Sequence, residues 1–171
     1  MDRFASAVTP VRALTVLSTG LLAGAFGYGA VNVAQTFKAV PLDVRLTFHV
    51  ELMKMNAVVM QVLMVLAAVS PIVLAVLTRG TQRLLAAGAG VLVVTSYLVT
   101  MFGNVPINGQ IREWVAGTIA ADHAAILERW ETFHAVRTST ALLAFLTIIT
   151  LVTVVLEPAR RAVAAPAAAA A

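Results

Sequence analysis

Residues 55–77, MNAVVMQVLMVLAAVSPIVLAVL, decide the fold. The stretch carries no Lys, Arg, Asp or Glu. Its length matches the ~20 apolar residues that cross ~30 Å of hydrocarbon at ~1.5 Å per residue. Pro71 falls inside it. In lipid a neighbouring helix can satisfy the freed backbone groups, so the run is read as one helix. Three more runs of similar length follow the same pattern: Ala13–Ala34, Leu84–Val105 and Thr138–Leu156. The expected fold is all-α, an integral membrane four-helix bundle with two amphipathic extramembrane connections on one side. The transmembrane domain spans residues 1–161, and an Ala-rich tail at 162–171 is expected to be disordered.

Composition agrees. Hydrophobic residues make up 60% of the 171-residue chain and charged residues 12%. That charge is about half the ~25% usual in soluble proteins. The absence of cysteine excludes disulfides, thiolate metal sites and a cysteine nucleophile. The net charge of +4 comes from basic residues scattered at the ends of apolar runs. They read as membrane anchors, not as a nucleic-acid surface. Arg3, Arg12 and the run from Ala13 imitate a signal peptide, but the run is long for one and is read as a retained first helix. No Walker-type lysine, glycine-rich phosphate loop or G-x-S-x-G elbow is present.

The connections differ in length. Thr78–Arg83 is a tight turn, whereas Gln35–Lys54 and Pro106–Arg137 are long enough to carry function. Four crossings put both termini on one side. The arginines of that side sit in very short segments, so both termini are expected in the cytoplasm of a cytoplasmic-membrane protein. In the first run, Gly20 and Gly24 form a G-x-x-x-G pair that would let a neighbouring backbone approach.

All three histidines, His49, His123 and His134, fall on the expected outer side. Three polar clusters stand there. Asn104-Val-Pro-Ile-Asn108 ends the third run and leads to Trp114. Trp130, His134 and Arg137 follow i, i+4, i+7 spacing and share a helix face. An aromatic wall, an imidazole and a fixed cation on one stripe suit an aromatic or anionic ligand. A Trp at the headgroups with a snorkelling Arg gives the same pattern. The third stripe is His49, Met53, Asn56 and Met60, in which Asn56 points into the top of the bundle and needs a partner. The Asn104/Asn108 and His134/Arg137 groups are the expected partners.

Asn104-Val-Pro-Ile-Asn108, the later Trp130 and His134-x-x-Arg137-Thr138 together resemble the signature of the anthrone oxygenase-like membrane family. The glycine-rich first run and Asn56 fit as well. The resemblance implies a membrane oxidoreductase that oxidises an aromatic polyketide-like or other apolar substrate with molecular oxygen at the extracytoplasmic mouth. It implies a base, an oxyanion holder and a dry aromatic pocket, with no cofactor required. His134 or His49 would be the base. Arg137, Asn104 and Asn108 would hold the oxyanion, while Trp130, Trp114 and Asn56 would bind substrate. Two other readings stand beside it. One is a copper or iron oxidase ligated by His49, His134 and Glu51. The other is a non-enzymatic accessory or lipid-like ligand-binding protein. A homo-oligomer is compatible with all three.

Overall fold

The structure, a computed structural model, describes residues 2–156. It is a bundle of four long helices without strands among the described residues. Helix α1 comprises Asp2–Tyr28, a π turn at Gly29–Val33 and Ala34–Ala39. Helix α2 is Leu42–Leu77. Helix α3 comprises Gly80–Val99, a second π turn at Thr100–Asn104 and Val105–Ala116. Helix α4 is His123–Thr150 and continues as a π segment, Leu151–Leu156. Each helix packs on two neighbours, in a ring α1–α2–α3–α4 and back to α1.

All four are long and apolar enough to cross a membrane, and the protein is an integral membrane bundle. They exceed what the hydrocarbon alone requires: α2 has 36 residues, against the ~20 of a crossing. The stretches expected as connections are therefore mostly helix. Gln35–Lys54 breaks only around Val40 and Pro41. Val40 is extended there (φ −106°, ψ 157°) because a proline follows and disfavours the helical region. Pro106–Arg137 is interrupted only between Gly117 and Asp122. The turn from α2 to α3 is as tight as expected and uses Gly80 at φ 58°, a conformation open to glycine. Helix α2 runs unbroken through Pro71. The Ala-rich tail lies outside the described residues.

The interior is layered along the bundle axis. Leu74, Ala86 and Leu151 form a small cluster at one end. The middle is built on Leu22, Phe26, Met64, Ala67, Val93 and Ile148. Buried alanines at 67, 89, 141 and 144 keep the helices close there. The other end is aromatic and branched: Phe37, Leu46, Ile107, Ile111, Trp114 and Trp130.

Two contacts fix the register of α2 against its neighbours. The Ser18 and Ser70 hydroxyls meet at 3.0 Å between α1 and α2. Gly90 of α3 lies under Ile72, where a Cβ would come 3.1 Å from Ile72 Cγ1. The G-x-x-x-G pair does less than expected. Gly20 takes the Phe145 ring of α4, but nothing lies within 4 Å of a Cβ at Gly24, which is exposed.

Candidate functional site: an aromatic stack around Trp130

The polar groups of the sequence meet where the aromatic layer joins the middle one. Trp130 is their centre. Its indole stacks on His134 at 5.1 Å between centroids and 20° between planes. His49 meets the same indole edge-on at 4.6 Å. His49 in turn stacks on Phe37 of α1 at 4.9 Å and 14°. On the far side, His134 meets Phe26 edge-on at 6.4 Å. Three helices thus contribute to one continuous row of rings.

Hydrogen bonds hold Trp130 at both ends. Its Nε1 donates to Asn108 Oδ1 at 2.7 Å. Asn104 Nδ2 donates to the Trp130 carbonyl at 3.0 Å. The Asn-x-Pro-x-Asn segment is therefore a clasp on one tryptophan, with both asparagines engaged and Pro106 in the first turn of the Val105–Ala116 helix, where a missing N–H is tolerated. The Asn108 amide also lies beside the His49 ring.

Arg137 sits within the stack. Its guanidinium lies 4.5 Å from the Phe26 ring centroid and 5.9 Å from that of Trp130, both cation–π distances. Its Nε donates to His134 Nδ1 at 3.0 Å, and Nη1 reaches Thr100 Oγ1 at 3.5 Å. A guanidinium has no lone pair to offer, so His134 Nδ1 must accept. A neutral His134 then carries its proton on Nε2. The Thr138 hydroxyl donates to the His134 carbonyl at 2.7 Å, and the Ser96 hydroxyl donates to that of Arg137 at 2.9 Å.

Both π turns border this row. Gly29, in the first, lies against His134: a Cβ there would stand 3.3 Å from Cε1 and Nε2. Gly103, in the second, lies under Phe133, and a Cβ would come within 2.5 Å of Cγ. π turns recur at functional sites because they break the regular ladder locally.

Three buried polar atoms of the cluster make no well-formed hydrogen bond among the described residues: His49 Nδ1, Asn104 Oδ1 and His134 Nε2, the last lying beside the Gly29 backbone. All three belong to side chains that touch Trp130. Buried polar groups in native proteins are normally satisfied, so three together mark a place built to meet something. Beyond them, an ion-pair group closes the end of the bundle. Glu131 takes Lys38 Nζ at 2.8 Å and Arg45 Nη2 at 3.1 Å, tying α4 to both α1 and α2.

His49, Asn104, Asn108, Trp130, His134 and Arg137 are thus brought together. Three other expected residues are not. Trp114 is buried but meets His123, at 6.5 Å, and not the histidines of the stack. Glu51 is exposed and pairs with Lys54 on its own helix, so it does not join His49 and His134. Among the described residues no three His, Asp or Glu side chains converge as a metal site. Asn56 does share the helix face of His49, but it is exposed and makes no bond to Asn104, Asn108, His134 or Arg137. The π turn that carries Asn104 does not pack closely against α2.

Sequence reasoning missed Phe26 and Phe37, which complete the row. Their spacing of eleven residues, three helical turns, was the available signal.

Neither the curated proteins nor the solved structures contain a match to the chain. The sequence profile of the family described as anthrone oxygenase matches residues 45–147, which include every member of the cluster except the two phenylalanines of α1. The chain belongs to the anthrone oxygenase family.

Proposed function

We propose that the protein oxidises a flat, apolar aromatic ketone of the anthrone type with molecular oxygen, using His49 as base and Arg137 with His134 as oxyanion holder. The observation that carries this is the trio of unpartnered buried atoms on side chains that touch Trp130. The two histidine atoms each have a chemical use. Beside the Asn108 amide, His49 offers the Nδ1 lone pair as a base. His134, fixed by Arg137, holds its Nε2–H beside the Gly29 backbone and offers it to the oxyanion as a donor. Among the two histidines the fixed tautomer therefore separates the roles.

The steps balance as follows. His49 takes one proton from the methylene between the two aryl rings. The C–H electron pair passes into the ring system, and negative charge develops on the ketone oxygen. Arg137 and the His134 Nε2–H stabilise that oxyanion, in a setting where donors are already oriented. The electron-rich anion reduces dioxygen, and a C–O bond forms at the former methylene. The protonated His49 returns its proton to the peroxide. Loss of water then leaves a second carbonyl. One oxygen atom ends in the quinone and the other in water.

Phe26, Phe37 and Trp130 supply the dry surroundings that strengthen these interactions. The proposed reaction needs no group beyond the chain and dioxygen.

The test is oxygen uptake by the purified protein in lipid nanodiscs with 1,8-dihydroxyanthrone. Quinone should form one-to-one with oxygen consumed, and equally after chelation. His49→Ala should lower kcat by about 10²–10⁴, the usual worth of a general base. Turnover no faster than autoxidation in empty nanodiscs would sink the proposal.

A further inference from the structure

A helix inside a bundle buries something on every turn of ~3.6 residues. Helix α2 breaks that rule once. Six successive residues, Lys54 to Val59, are all exposed. The inward face of α2 runs through His49, Met53, Asn56, Met60, Ala67 and Leu74, in steps of three, four and seven. His49, Ala67 and Leu74 are buried, and Met53 and Met60 are half-buried. Asn56 alone on this face is open. Its neighbour Ala57 sits one heptad from Val50 and one from Met64, both buried, yet it is exposed as well. Met53 packs on the aromatic layer and Met60 on the middle one. The helix therefore bridges a gap between two cores, about 9 Å tall for six residues at ~1.5 Å each.

The walls of this gap follow from the register. Equal steps along the antiparallel helices from the Ser18–Ser70 contact bring Asn56 level with Asn32, inside the first π turn. The same steps from the Gly90–Ile72 contact bring Met60 level with Phe102, inside the second. Neither π turn packs closely against α2, whereas Asp2–Tyr28, Gly80–Val99 and Val105–Ala116 do. Behind them stand Gly29 with His134, and Asn104 with its bare Oδ1.

Two amides stand at this gap, Asn56 within it and Gln61 just past Met60 at its edge. Asn56 lies four turns from Ser70, on the α1 side. Gln61 lies three turns from Ile72, on the α3 side. Both are exposed, and neither has a hydrogen-bond partner among the described residues. The hydroxyls of the spans behave differently: Thr95, Thr140 and Thr147 each bond a carbonyl one turn back on their own helix. A carboxamide without a partner in an apolar setting is costly unless something supplies one.

We infer that this gap is the substrate cleft, entered sideways from the bilayer, and that Asn56 and Gln61 hold the oxygen substituents of a flat polycyclic phenol or ketone. The inference rests on the reaction proposed above. An apolar substrate collects in lipid, so a lateral entrance spares it a passage through water. The gap height suits a fused tricyclic ring, and the amides offer both donors and acceptors to hydroxyl or carbonyl groups on its edge.

The ligand for the test is 1,8-dihydroxyanthraquinone, which is already oxidised, with unsubstituted anthraquinone beside it. Binding is read by quenching of tryptophan fluorescence in nanodiscs. Ala57→Phe fills the gap and is expected to weaken binding about tenfold or more, while Val62→Phe on the lipid face leaves it unchanged. Asn56→Leu is expected to cost the dihydroxy ligand about tenfold and the unsubstituted one less than twofold, as for a site that loses a hydrogen bond. A well-folded Ala57→Phe protein that binds as wild type overturns the inference and leaves the reaction untouched. If wild type neither binds these quinones nor oxidises 1,8-dihydroxyanthrone, the reaction has failed, and the cleft is judged alone. The chain lacks cysteine, so single cysteines report access. Ala57→Cys should react with a lipid-soluble maleimide about as fast as Val62→Cys. Labelling as slow as that of the buried Ala67→Cys overturns the cleft.

Discussion

Gly103 is the position at which one methyl group should do most damage. It lies in the π turn of α3, and a Cβ would stand 2.5 Å from Phe133 Cγ and 2.8 Å from both Cδ atoms. Carbon atoms pack best at about 3.5–4.0 Å, so the ring or the helix must move by about 1 Å. The nearest atom is the ring's own root, which cannot swing aside by rotation. Overpacking of this kind costs about 1–3 kcal/mol. Alanine recovers up to about 1 kcal/mol through helix propensity. The net loss for Gly103→Ala is therefore about 1–2 kcal/mol, or roughly 2–8 °C in Tm for a chain of this size. Thermal unfolding in detergent, followed by tryptophan fluorescence, measures it. Gly109→Ala on the same helix is the control, since nothing lies within 4 Å of its Cβ. In a Phe133→Ala background the penalty at residue 103 should vanish, a coupling of at least ~0.5 kcal/mol. Equal stability of Gly103→Ala and Gly109→Ala would refute the close packing of the π turn on α4.

Trp130→Phe keeps a ring in the stack but deletes the donor to Asn108, so it should destabilise by about 1–3 kcal/mol in urea or heat titrations. Arg137→Lys keeps the charge but loses the Nε–H that fixes His134. Turnover should fall about tenfold or more, and imidazole nitrogen NMR should show His134 Nδ1 freed from its donor. Glu131→Gln leaves the largely buried Arg45 without its carboxylate, and should cost more stability than Glu51→Gln, whose pair with Lys54 is exposed on both sides. Comparing the two by thermal unfolding at low and high salt checks this.

The hydropathy runs located the crossings because lipid admits only apolar side chains over ~30 Å. They mark the hydrocarbon and not the helix ends. Lys38, Arg45 and Lys54 read as the close of a membrane segment, yet the backbone stays helical through all of them but for the break at Val40. The cluster was legible where polar residues repeat on one face, as with Trp130, His134 and Arg137. It was not legible where α1 contributes. Phe26 and Phe37 lie in an apolar, glycine-rich stretch in which two more phenyl rings carry no contrast. Asn56 was placed on the correct face, but its missing partner could not be foreseen. That depends on two π turns, each a local change of pitch with no residue type of its own. Trp114 shows the converse: it belongs to the same layer as Trp130, but its neighbour is decided by the short turn before α4.

A π turn is an α turn with one residue too many, so each of the two here behaves as a single-residue insertion absorbed without breaking the helix. Length and phase in α1 are thereby uncoupled. Removing one residue within Gly29–Val33 would let a regular helix close with Ala34–Ala39 still in its present phase, whereas closing the turn without a deletion would rotate that segment by about 100°. Phe37 would stay on His49 in the first case and swing off it in the second. The two portions of α1 can therefore gain or lose one codon between them while both keep their packing, with the π turn as the joint.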